Sequence, residues 1–343
     1  MKTNRTALVL GASGGIGGEM ARQLAAKGWK VRALKRGLGV PSRLTDGVEW
    51  IEGDAMNAPD VAKAAEACKV IVHAVNPPGY RGWGQQVLPM IDNTIAAASV
   101  HGATVVLPGT VYNFGPDAFP VLREDSPQRP VTRKGKIRVE MEARLRKAAE
   151  DGQLRAIVVR AGDFIGPGAR NNWLSQGIIR PGEVPTQVKL PNARGVGHQY
   201  AYLPDVAATM IALLEKDGSL PAFASYNFGG YWDSDGAELG RAIQRVVAAH
   251  GAKAPALKAF PWWMIRLVAP FNETLREMME MRYLWQQPVR MDNRLLREVL
   301  GAEPHTPLET ALARTLAGLG CLPGPAGRPA AVTHPKQAQV LQG

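Results

Sequence analysis

A glycine-rich segment separates a short apolar run from the start of a helical pattern. Residues 11–17 read Gly-Ala-Ser-Gly-Gly-Ile-Gly and directly follow the apolar residues 7–10. Gly11 permits a tight turn, Gly14 and Gly15 let the backbone approach a pyrophosphate, and Gly17 lets the helix pack closely on the strand. The N-terminus of the helix also favours an anion. The residues expected to bind the diphosphate of a dinucleotide are Gly11, Ser13, Gly14, Gly15, Ile16 and Gly17.

Two cations lie at the end of the second predicted strand, where residues 31–36 read Val-Arg-Ala-Leu-Lys-Arg. An NAD site places an acidic residue here, about 20 residues past the glycine loop, to hold the ribose 2′-hydroxyl. Lys35 and Arg36 suit a 2′-phosphate instead, because an arginine can bind it through two parallel hydrogen bonds. The pattern therefore favours NADP(H) over NAD(H). Two solvated surface cations are the alternative interpretation.

Short apolar runs alternate with helical patterns in the first half of the chain. Strands are predicted at 7–10, 29–34, 48–51, 70–75, 104–107 and 154–160, and helices at 16–27, 59–68, 85–101 and 136–150. Runs such as Val-Ile-Val are apolar on both faces, as in a parallel sheet that helices cover on both sides. The alternation predicts right-handed βαβ crossovers and hence an α/β fold with a Rossmann-type, doubly wound parallel sheet.

The second half of the chain predicts a smaller, mixed C-terminal substrate lobe. Residues 1–165 are expected to form the dinucleotide-binding domain, which a helix at 204–215 and a strand at 225–228 complete within about 200–230. The substrate lobe is assigned to 166–199 and 231–320, with helices at 235–250, 261–283 and 292–300. Residues 321–343 are proline-rich with few apolar side chains, and we expect them to form a mobile tail.

Length and composition exclude several classes of protein. The 343 residues are 45% hydrophobic and 21% charged, which is typical of a globular protein with a substantial core. Cys68 and Cys321 make no disulfide framework, and the scattered histidines lack the spacing of a metal site. The formal net charge of +11 suits an anionic small molecule. No nucleic-acid-binding motif accompanies this charge, so nucleic acid is not expected as a partner.

The apolar segments predict a cytoplasmic protein. Residues 7–10 are too short for the apolar core of an export signal, and charge and proline interrupt the apolar run at 259–271, which excludes a transmembrane span. That run contains Trp262, Trp263, Met264 and Phe271. A core or lid helix is the favoured interpretation. A helix that lies on a membrane surface or covers a partner is the alternative.

Several segments outside the glycine loop carry a resemblance to a known family. They read Glu52-Gly53-Asp54-Ala55, Val72-His73-Ala74-Val75, Val111-Tyr112, Arg160-Ala161-Gly162-Asp163-Phe164-Ile165-Gly166-Pro167-Gly168 and Tyr202-Leu203-Pro204-Asp205-Val206-Ala207. Through these motifs residues 5–318 resemble the extended and atypical short-chain dehydrogenase/reductases related to NAD(P)-dependent epimerase/dehydratases. The resemblance implies that Asp54 approaches the adenine and that Ala55, Ala74 and Val75 line the cofactor site.

The catalytic set that this resemblance implies is incomplete. The family has a Ser or Thr together with a Tyr and a Lys in a Tyr-x-x-x-Lys helix; here Lys136 matches the lysine, which would also hold the nicotinamide ribose. Thr132 occupies the tyrosine position and Pro108 the serine position. Tyr112, with Thr110 as its hydrogen-bond partner, could replace the missing acid. The alternatives are a structural Tyr112 and a reaction in which water protonates the product.

Aromatic and charged residues at the carboxyl edge of the predicted sheet are candidates for substrate binding, because ligands bind at this edge in open α/β sheets. They are Tyr80, Arg81, Trp83, Phe114, Asp163 and Trp173. Packing of a surface loop is the alternative for the aromatic residues. For Asp163 the alternatives are an acid/base role and a turn cap.

The leading functional prediction is an NADP(H)-dependent oxidoreductase that transfers hydride to or from a small carbonyl or activated alkene. A sugar-nucleotide epimerase or dehydratase is the second prediction, and a non-catalytic NADP(H) sensor or partner-binding subunit is the third. The expected partners are a small-molecule substrate and a second copy of the chain, paired through the helices at 85–101 and 136–150.

Overall fold

The computed structural model describes residues 5–77, 82–169 and 172–323. The strands are β1 Thr6–Leu10, β2 Lys30–Lys35, β3 Ser42–Thr45, β4 Val48–Glu52, β5 Val70–His73, β6 Thr104–Gly109, β7 Val121–Leu122, β8 Arg155–Arg160, β9 Asp163–Ile165, β10 Gln187–Leu190, β11 His198–Tyr202, β12 Phe223–Asn227, β13 Tyr231–Asp233, β14 Ala256–Ala259 and β15 Arg290–Met291. The α-helices are α1 Gly15–Ala26, α2 Ala58–Ala64, α3 Trp83–His101, α4 Arg133–Glu150, α5 Leu203–Glu215, α6 Glu238–Ala249, α7 Trp262–Val268, α8 Glu273–Glu280, α9 Arg294–Leu300 and α10 Leu308–Gly318.

An eight-stranded sheet runs in the order β12-β8-β6-β5-β1-β2-β4-β3. The strands from β12 to β4 pair in parallel, and β3 pairs antiparallel with β4. The chain moves outward from β1 first in one direction and then in the other, which is the doubly wound arrangement. The predicted α/β, Rossmann-type fold is therefore confirmed.

Helices cover both faces of this sheet, and β1 shows how the sequence requires it. All five residues of β1 are buried. Ala7 and Val9 share a core cluster with side chains of α1 and α5, whereas Leu8 and Leu10 share another with side chains of α3 and α4. Successive side chains of a strand point to opposite faces, so an unbroken apolar run needs a helical layer on each side.

Smaller sheets lie outside the main one. A three-stranded sheet has the order β13-β11-β9, and β10 pairs with β14 and β15 with β7. Side chains of β11, α6 and α10 form a further core cluster that also includes the buried Trp285. The division of the chain into the two predicted lobes stays a prediction.

Two helical regions differ from the sequence-based prediction. The helix expected at 261–283 is broken into α7, a 3₁₀ turn at Ala269–Phe271, α8 and a second 3₁₀ turn at Met281–Trp285. Pro270 lacks the N–H that would continue the helical hydrogen bonds of α7, and the Asn272 side chain then caps α8 by accepting from the Leu275 N–H. Helix α10 was not predicted, although Leu308, Leu312 and Leu316 follow helical spacing.

No helix in the described ranges is both long enough and apolar enough to cross a bilayer. The predicted tail lies outside the described residues from position 324 onward.

Candidate functional site

A cleft of about 650 Å³ follows the carboxyl edge of the main sheet. One end is formed by the glycine loop and the ends of β2 and β4, the middle by the ends of β5 and β6, and the far end by residues 161–164 and 172–173. The cleft is thus at the edge where open α/β sheets bind ligands. It contains most of the residues predicted for cofactor and substrate.

The glycine loop has the shape that a bound diphosphate requires. Gly11 has a φ of +85°, and a Cβ at this position would lie 2.5 Å from the Ala74 carbonyl oxygen. A Cβ on Gly17 would overlap the carbonyl oxygen of Gly11, so Gly17 serves the close packing of α1 rather than lining the cleft. Gly14 is the N-cap of α1 and offers no side-chain acceptor to the first-turn N–H groups, and the first-turn residues Gly15 and Ile16 line the cleft. The loop therefore fits the diphosphate of a dinucleotide.

Both predicted cations lie at the end of the cleft formed by β2 and β4. Lys35 and Arg36 line it, with the Lys35 ammonium 5.6 Å from the centroid of the Trp50 ring. The Arg36 guanidinium lies 3.5 Å from the Asp54 carboxylate, and both side chains are solvent-exposed. An ion pair this exposed contributes little to stability, so Arg36 can turn to a stronger anionic partner at low cost.

The loop that follows Arg36 is held by Glu52 at the end of β4. The Glu52 carboxylate accepts hydrogen bonds from the backbone N–H groups of Gly37 at 2.8 Å and Gly39 at 3.1 Å, and also from that of Leu38. This carboxylate is occupied by the loop and does not line the cleft. Glu52 thereby fixes the backbone beside Arg36.

Tyr112 and Thr110 lie at the carboxyl end of β6 and both line the cleft. Thr110 caps a short 3₁₀ turn, in which its hydroxyl accepts from the Tyr112 N–H at 3.3 Å. The predicted contact between the two residues therefore exists, but it joins the threonine hydroxyl to the tyrosine backbone. Their catalytic roles stay predictions.

The structure does not bring Lys136 to the cleft, which corrects the sequence-based assignment. Lys136 is exposed on α4. Thr132 is the N-cap, and its hydroxyl accepts from the Gly135 N–H at 3.0 Å, so the helix proper begins after it. The inward face then falls on Lys134 and Arg138, which share the four-residue spacing. The buried positions Met141, Leu145 and Ala148, traced back at helical spacing, would have indicated this phase.

Arg138 and Lys134 replace the predicted lysine as the cations near the cleft. Arg138 is buried, lines the cleft and lies over the Trp83 ring at 5.2 Å. Lys134 lies deeper, with its ammonium 5.7 Å from the Trp83 centroid and paired with Glu277 of α8. Burial lowers the pKa of Lys134, and the Glu277 carboxylate opposes that shift. The helix thus presents an arginine to the site and uses its lysine to hold α8.

His73, at the end of β5, is a buried residue of the cleft that the sequence analysis did not single out as functional. Its Nδ1 lies 2.8 Å from the Thr94 hydroxyl, which donates to the Met90 carbonyl oxygen at 3.0 Å. The hydroxyl therefore accepts from Nδ1–H, and Nε2 carries the lone pair. Burial, reinforced by the Arg138 charge, lowers the pKa of His73 to about 3.

We expect this histidine to make the fold sensitive to acid. Its pKa rises from about 3 in the folded protein to the ordinary 6.5 on unfolding, so the unfolded state binds the extra proton between these values. Above about pH 6.5 this histidine therefore does not reduce the free energy of unfolding. As the pH is lowered toward 3, the free energy of unfolding falls. Between pH 7 and pH 5 the loss from this group is about 2 kcal/mol.

Urea unfolding at several pH values measures this effect. His73→Gln should flatten the acid side of the stability profile. Equal slopes for His73→Gln and the unmodified protein would show that His73 is not the titrating group.

At the substrate end of the cleft, Asp163 faces the cavity and pairs with a histidine behind it. The Asp163 carboxylate lies 2.6 Å from Nε2 of His198, whose ring stacks on Trp285 at 3.8 Å. Nδ1 of His198 is buried, and no hydrogen-bond partner is found for it among the described residues. This geometry fits an Nε2–H group that donates to the Asp163 carboxylate. The sequence analysis missed His198 because it lies 35 residues from Asp163 along the chain.

The remaining substrate candidates have different positions. Trp83 and Trp173 line the cleft, and the Trp173 ring packs against Trp262 of α7 with their centroids 5.7 Å apart. Phe114 does not reach the cleft, which corrects its assignment: it is fully buried in a separate cluster, with the Arg160 guanidinium 5.6 Å from its ring. Tyr80 and Arg81 lie outside the described residues.

The fold and the glycine loop define a nucleotide-binding protein of the Rossmann type. The chain belongs to the NAD dependent epimerase/dehydratase family, whose model matches residues 7–229. This membership confirms the resemblance found in the sequence and supports a nicotinamide dinucleotide as the cofactor. No protein with curated annotation matches the chain significantly.

Solved structures show the same fold over nearly the whole chain. MoeE5 in complex with UDP-glucose and NAD is 19% identical, covers 92% of this chain and 98% of its own, and superimposes with a TM-score of 0.67. The UDP-glucose 4-epimerase from Brucella ovis in complex with NAD is 16% identical, with coverages of 92% and 98% and a TM-score of 0.69. At these identities the similarity shows the shared fold.

Proposed function

We propose that the protein is an NADP(H)-dependent oxidoreductase that reduces or oxidises a small carbonyl compound or activated alkene. The observation that carries the proposal is one continuous cleft with Lys35 and Arg36 at one end and Tyr112 and Arg138 further along it. A dinucleotide whose diphosphate bound at the glycine loop would extend along the sheet edge toward β5 and β6.

The preference for NADP(H) rests on the charges around Arg36. Arg36 and Lys35 offer two cations to a 2′-phosphate, and the exposed contact with Asp54 leaves the guanidinium free to exchange partners. The carboxylate that ends β4, Glu52, is bound to three backbone N–H groups and is not available to a ribose 2′-hydroxyl. Both features favour the phosphorylated cofactor.

Arg138 and Tyr112 supply the polar chemistry in this proposal. When bound, a reduced nicotinamide supplies a hydride to an electrophilic carbon. The Arg138 guanidinium, buried beside the cleft, stabilises the negative charge that develops on the carbonyl oxygen. Tyr112 donates the proton that the oxygen takes up.

We expect Tyr112→Phe to lower kcat/KM for carbonyl reduction by about 10²- to 10⁴-fold, because a positioned general acid contributes a factor of this size. NADPH binding should stay within about threefold of the unmodified protein, since less than 1 kcal/mol of binding energy is at stake. Oxidation of NADPH with a panel of small carbonyls and enones measures kcat/KM, and calorimetric titration measures NADPH binding.

Tyr231→Phe is the matched control for this variant. The Tyr231 hydroxyl donates to the Thr306 carbonyl oxygen at 2.6 Å, and the residue does not line the cleft. Equal rates for Tyr112→Phe and Tyr231→Phe would exclude Tyr112 as the acid and leave protonation by water.

A sugar-nucleotide epimerase is the second candidate, and family membership is the observation that favours it. Such an enzyme oxidises and re-reduces its substrate with one retained NAD. The inward face of α4 carries Lys134 and Arg138 at the spacing where the family has its tyrosine and lysine, and Lys134 is paired with Glu277. The Lys134 ammonium cannot act as the base that the family's tyrosine provides as a phenolate. This difference favours the oxidoreductase over the epimerase.

The cofactor that co-purifies with the protein and the substrates that the protein consumes distinguish the two candidates. Tightly bound NAD together with conversion of UDP-glucose would support the epimerase. Exchangeable NADPH consumed in proportion to a carbonyl substrate would support the oxidoreductase. NADPH binding with no turnover on either panel would favour a sensor or partner-binding subunit.

We also propose that the protein forms a homodimer through α3 and α4 and that it is located in the cytoplasm. The two helices pack side by side, and Arg144 of α4 bonds Asp92 of α3 at 2.6 Å. Val100 near the end of α3 is 78% exposed. Sedimentation velocity of the unmodified protein and of Val100→Asp tests the dimer.

A further inference from the structure

The surface formed by Trp263, Met264, Leu267, Val268 and Phe271 is the most apolar exposed stretch of the described chain. Trp263 is 68% exposed, Leu267 66% and Phe271 89%. These residues recur at positions 263, 267 and 271 and again at 264 and 268, so α7 and the following 3₁₀ turn present them on one side. We call this surface the α7 patch.

The residues of the α7 patch are not the ones that α7 packs against the core, because the helix also has a separate buried side. Ile265 and Ala269 on that side pack with Phe260, Leu275 and Met278 in a core cluster. The helix is therefore apolar on both sides, although its outer side meets solvent. A contiguous apolar surface of this kind marks an interaction site more often than a neutral feature.

Basic residues outnumber acidic ones in the stretch of chain that contains the patch. Between residues 253 and 276 the chain carries Lys253, Lys258, Arg266 and Arg276 against a single acid, Glu273. Both arginines are exposed. Among the described residues neither of them forms an ion pair, although the Arg276 guanidinium donates to the Pro270 carbonyl oxygen at 3.4 Å. The patch thus combines exposed aromatic and aliphatic side chains with uncompensated arginines.

We propose that the α7 patch binds the surface of an anionic lipid bilayer. Aromatic and aliphatic side chains on one face, with arginines beside them, are the composition of helices that lie in the membrane interface. The indole of Trp263 suits the headgroup level, since it has an apolar body and a polar N–H. Arg266 and Arg276 provide attraction to anionic headgroups.

The charge also argues against a second copy of this chain as the occupant. A two-fold symmetric contact would bring together two copies of the patch, each in a stretch with more basic than acidic residues. Like charges in such a contact repel, whereas an anionic bilayer attracts them. The lipid surface is therefore the occupant that fits both the apolar and the charged residues.

Membrane binding through this patch would bring the bilayer close to the substrate end of the cleft. Trp262, adjacent to Trp263, turns inward, where its indole donates to the Pro191 carbonyl oxygen at 2.8 Å. Its ring packs against Trp173, which lines the cleft. Helix α7 is thus the layer between the exposed patch and a wall of the cleft.

Co-sedimentation of the full chain with vesicles tests the proposal. Vesicles of phosphatidylcholine and phosphatidylglycerol in equal parts should bind the protein at least about tenfold more strongly than pure phosphatidylcholine, and added salt should weaken the binding. Trp263→Ser combined with Phe271→Ser should reduce the partition coefficient at least about tenfold, because two large apolar side chains no longer enter the interface.

The matched control is Leu44→Ser combined with Val131→Ser, which removes two apolar side chains that are 75% and 59% exposed and lie away from the patch. This variant should bind vesicles as the unmodified protein does. NADPH binding, which does not depend on the patch, reports that each variant is folded.

Absence of binding to anionic vesicles, or an equal loss in both double variants, would overturn the proposal. A dimer in solution that Trp263→Ser with Phe271→Ser converts to a monomer, without vesicle binding by the unmodified protein, would assign the patch to a second copy instead.

Discussion

Replacing Glu277 by leucine is expected to lower the free energy of unfolding by about 3–5 kcal/mol. Glu277 joins α8 to the helix that forms one side of the cleft, because its carboxylate pairs with the Lys134 ammonium and lies 2.6 Å from the Arg133 guanidinium. Lys134 is 2% exposed. Loss of this carboxylate removes the Glu277 counter-charge from a buried ammonium, which is the costly way to break such a pair.

Glu280→Leu is the matched control for this prediction. Glu280 lies on the same helix and pairs with Arg133 at 3.1 Å, but the arginine is largely exposed. Its removal should cost about 1 kcal/mol or less. Urea unfolding with a common m-value compares the two variants. Adding Lys134→Met to Glu277→Leu should restore most of the lost stability, and equal losses for Glu277→Leu and Glu280→Leu would contradict the account.

Replacing Arg36 by glutamate is expected to weaken NADPH binding about 10²-fold, which corresponds to about 2.7 kcal/mol. The variant removes a cation that would contact the 2′-phosphate and places a carboxylate beside Asp54, so repulsion replaces attraction. NADH lacks the 2′-phosphate and should bind the variant and the unmodified protein with affinities within about threefold.

Arg43→Glu controls for the change in net charge, because Arg43 is exposed on β3 and does not line the cleft. Calorimetric titration of both variants with both cofactors gives the four dissociation constants that are needed. A parallel loss of NADPH and NADH affinity in Arg36→Glu would indicate a damaged cleft rather than a lost phosphate contact.

The features that were predicted correctly from the sequence are those that a local pattern of residues defines. The apolar runs of the main sheet and the glycine loop are readable because each is defined by consecutive residues, and β1 and α1 lie where they were expected. Strands such as β9 and β15 escaped prediction. They are three and two residues long and pair with β11 and β7, which are distant in sequence.

Two residues were assigned to the candidate site incorrectly. One error arose from the phase of helix α4, and the other from a side chain that is buried in the core. Lys136 was chosen by spacing from Thr132, but Thr132 is a cap and the inward turn of α4 begins at Lys134. Phe114 follows Tyr112 closely along the chain, yet it packs into a core cluster with Leu122 and Met281. A residue two positions from a site can therefore face away from it.

The most direct test of the central claim is calorimetric titration of the unmodified protein with NADPH and NADH. We expect NADPH to bind at one site per chain and at least about tenfold more tightly than NADH, because Arg36 and Lys35 would contact the 2′-phosphate. Failure to bind either nucleotide, or tighter binding of NADH, would contradict it.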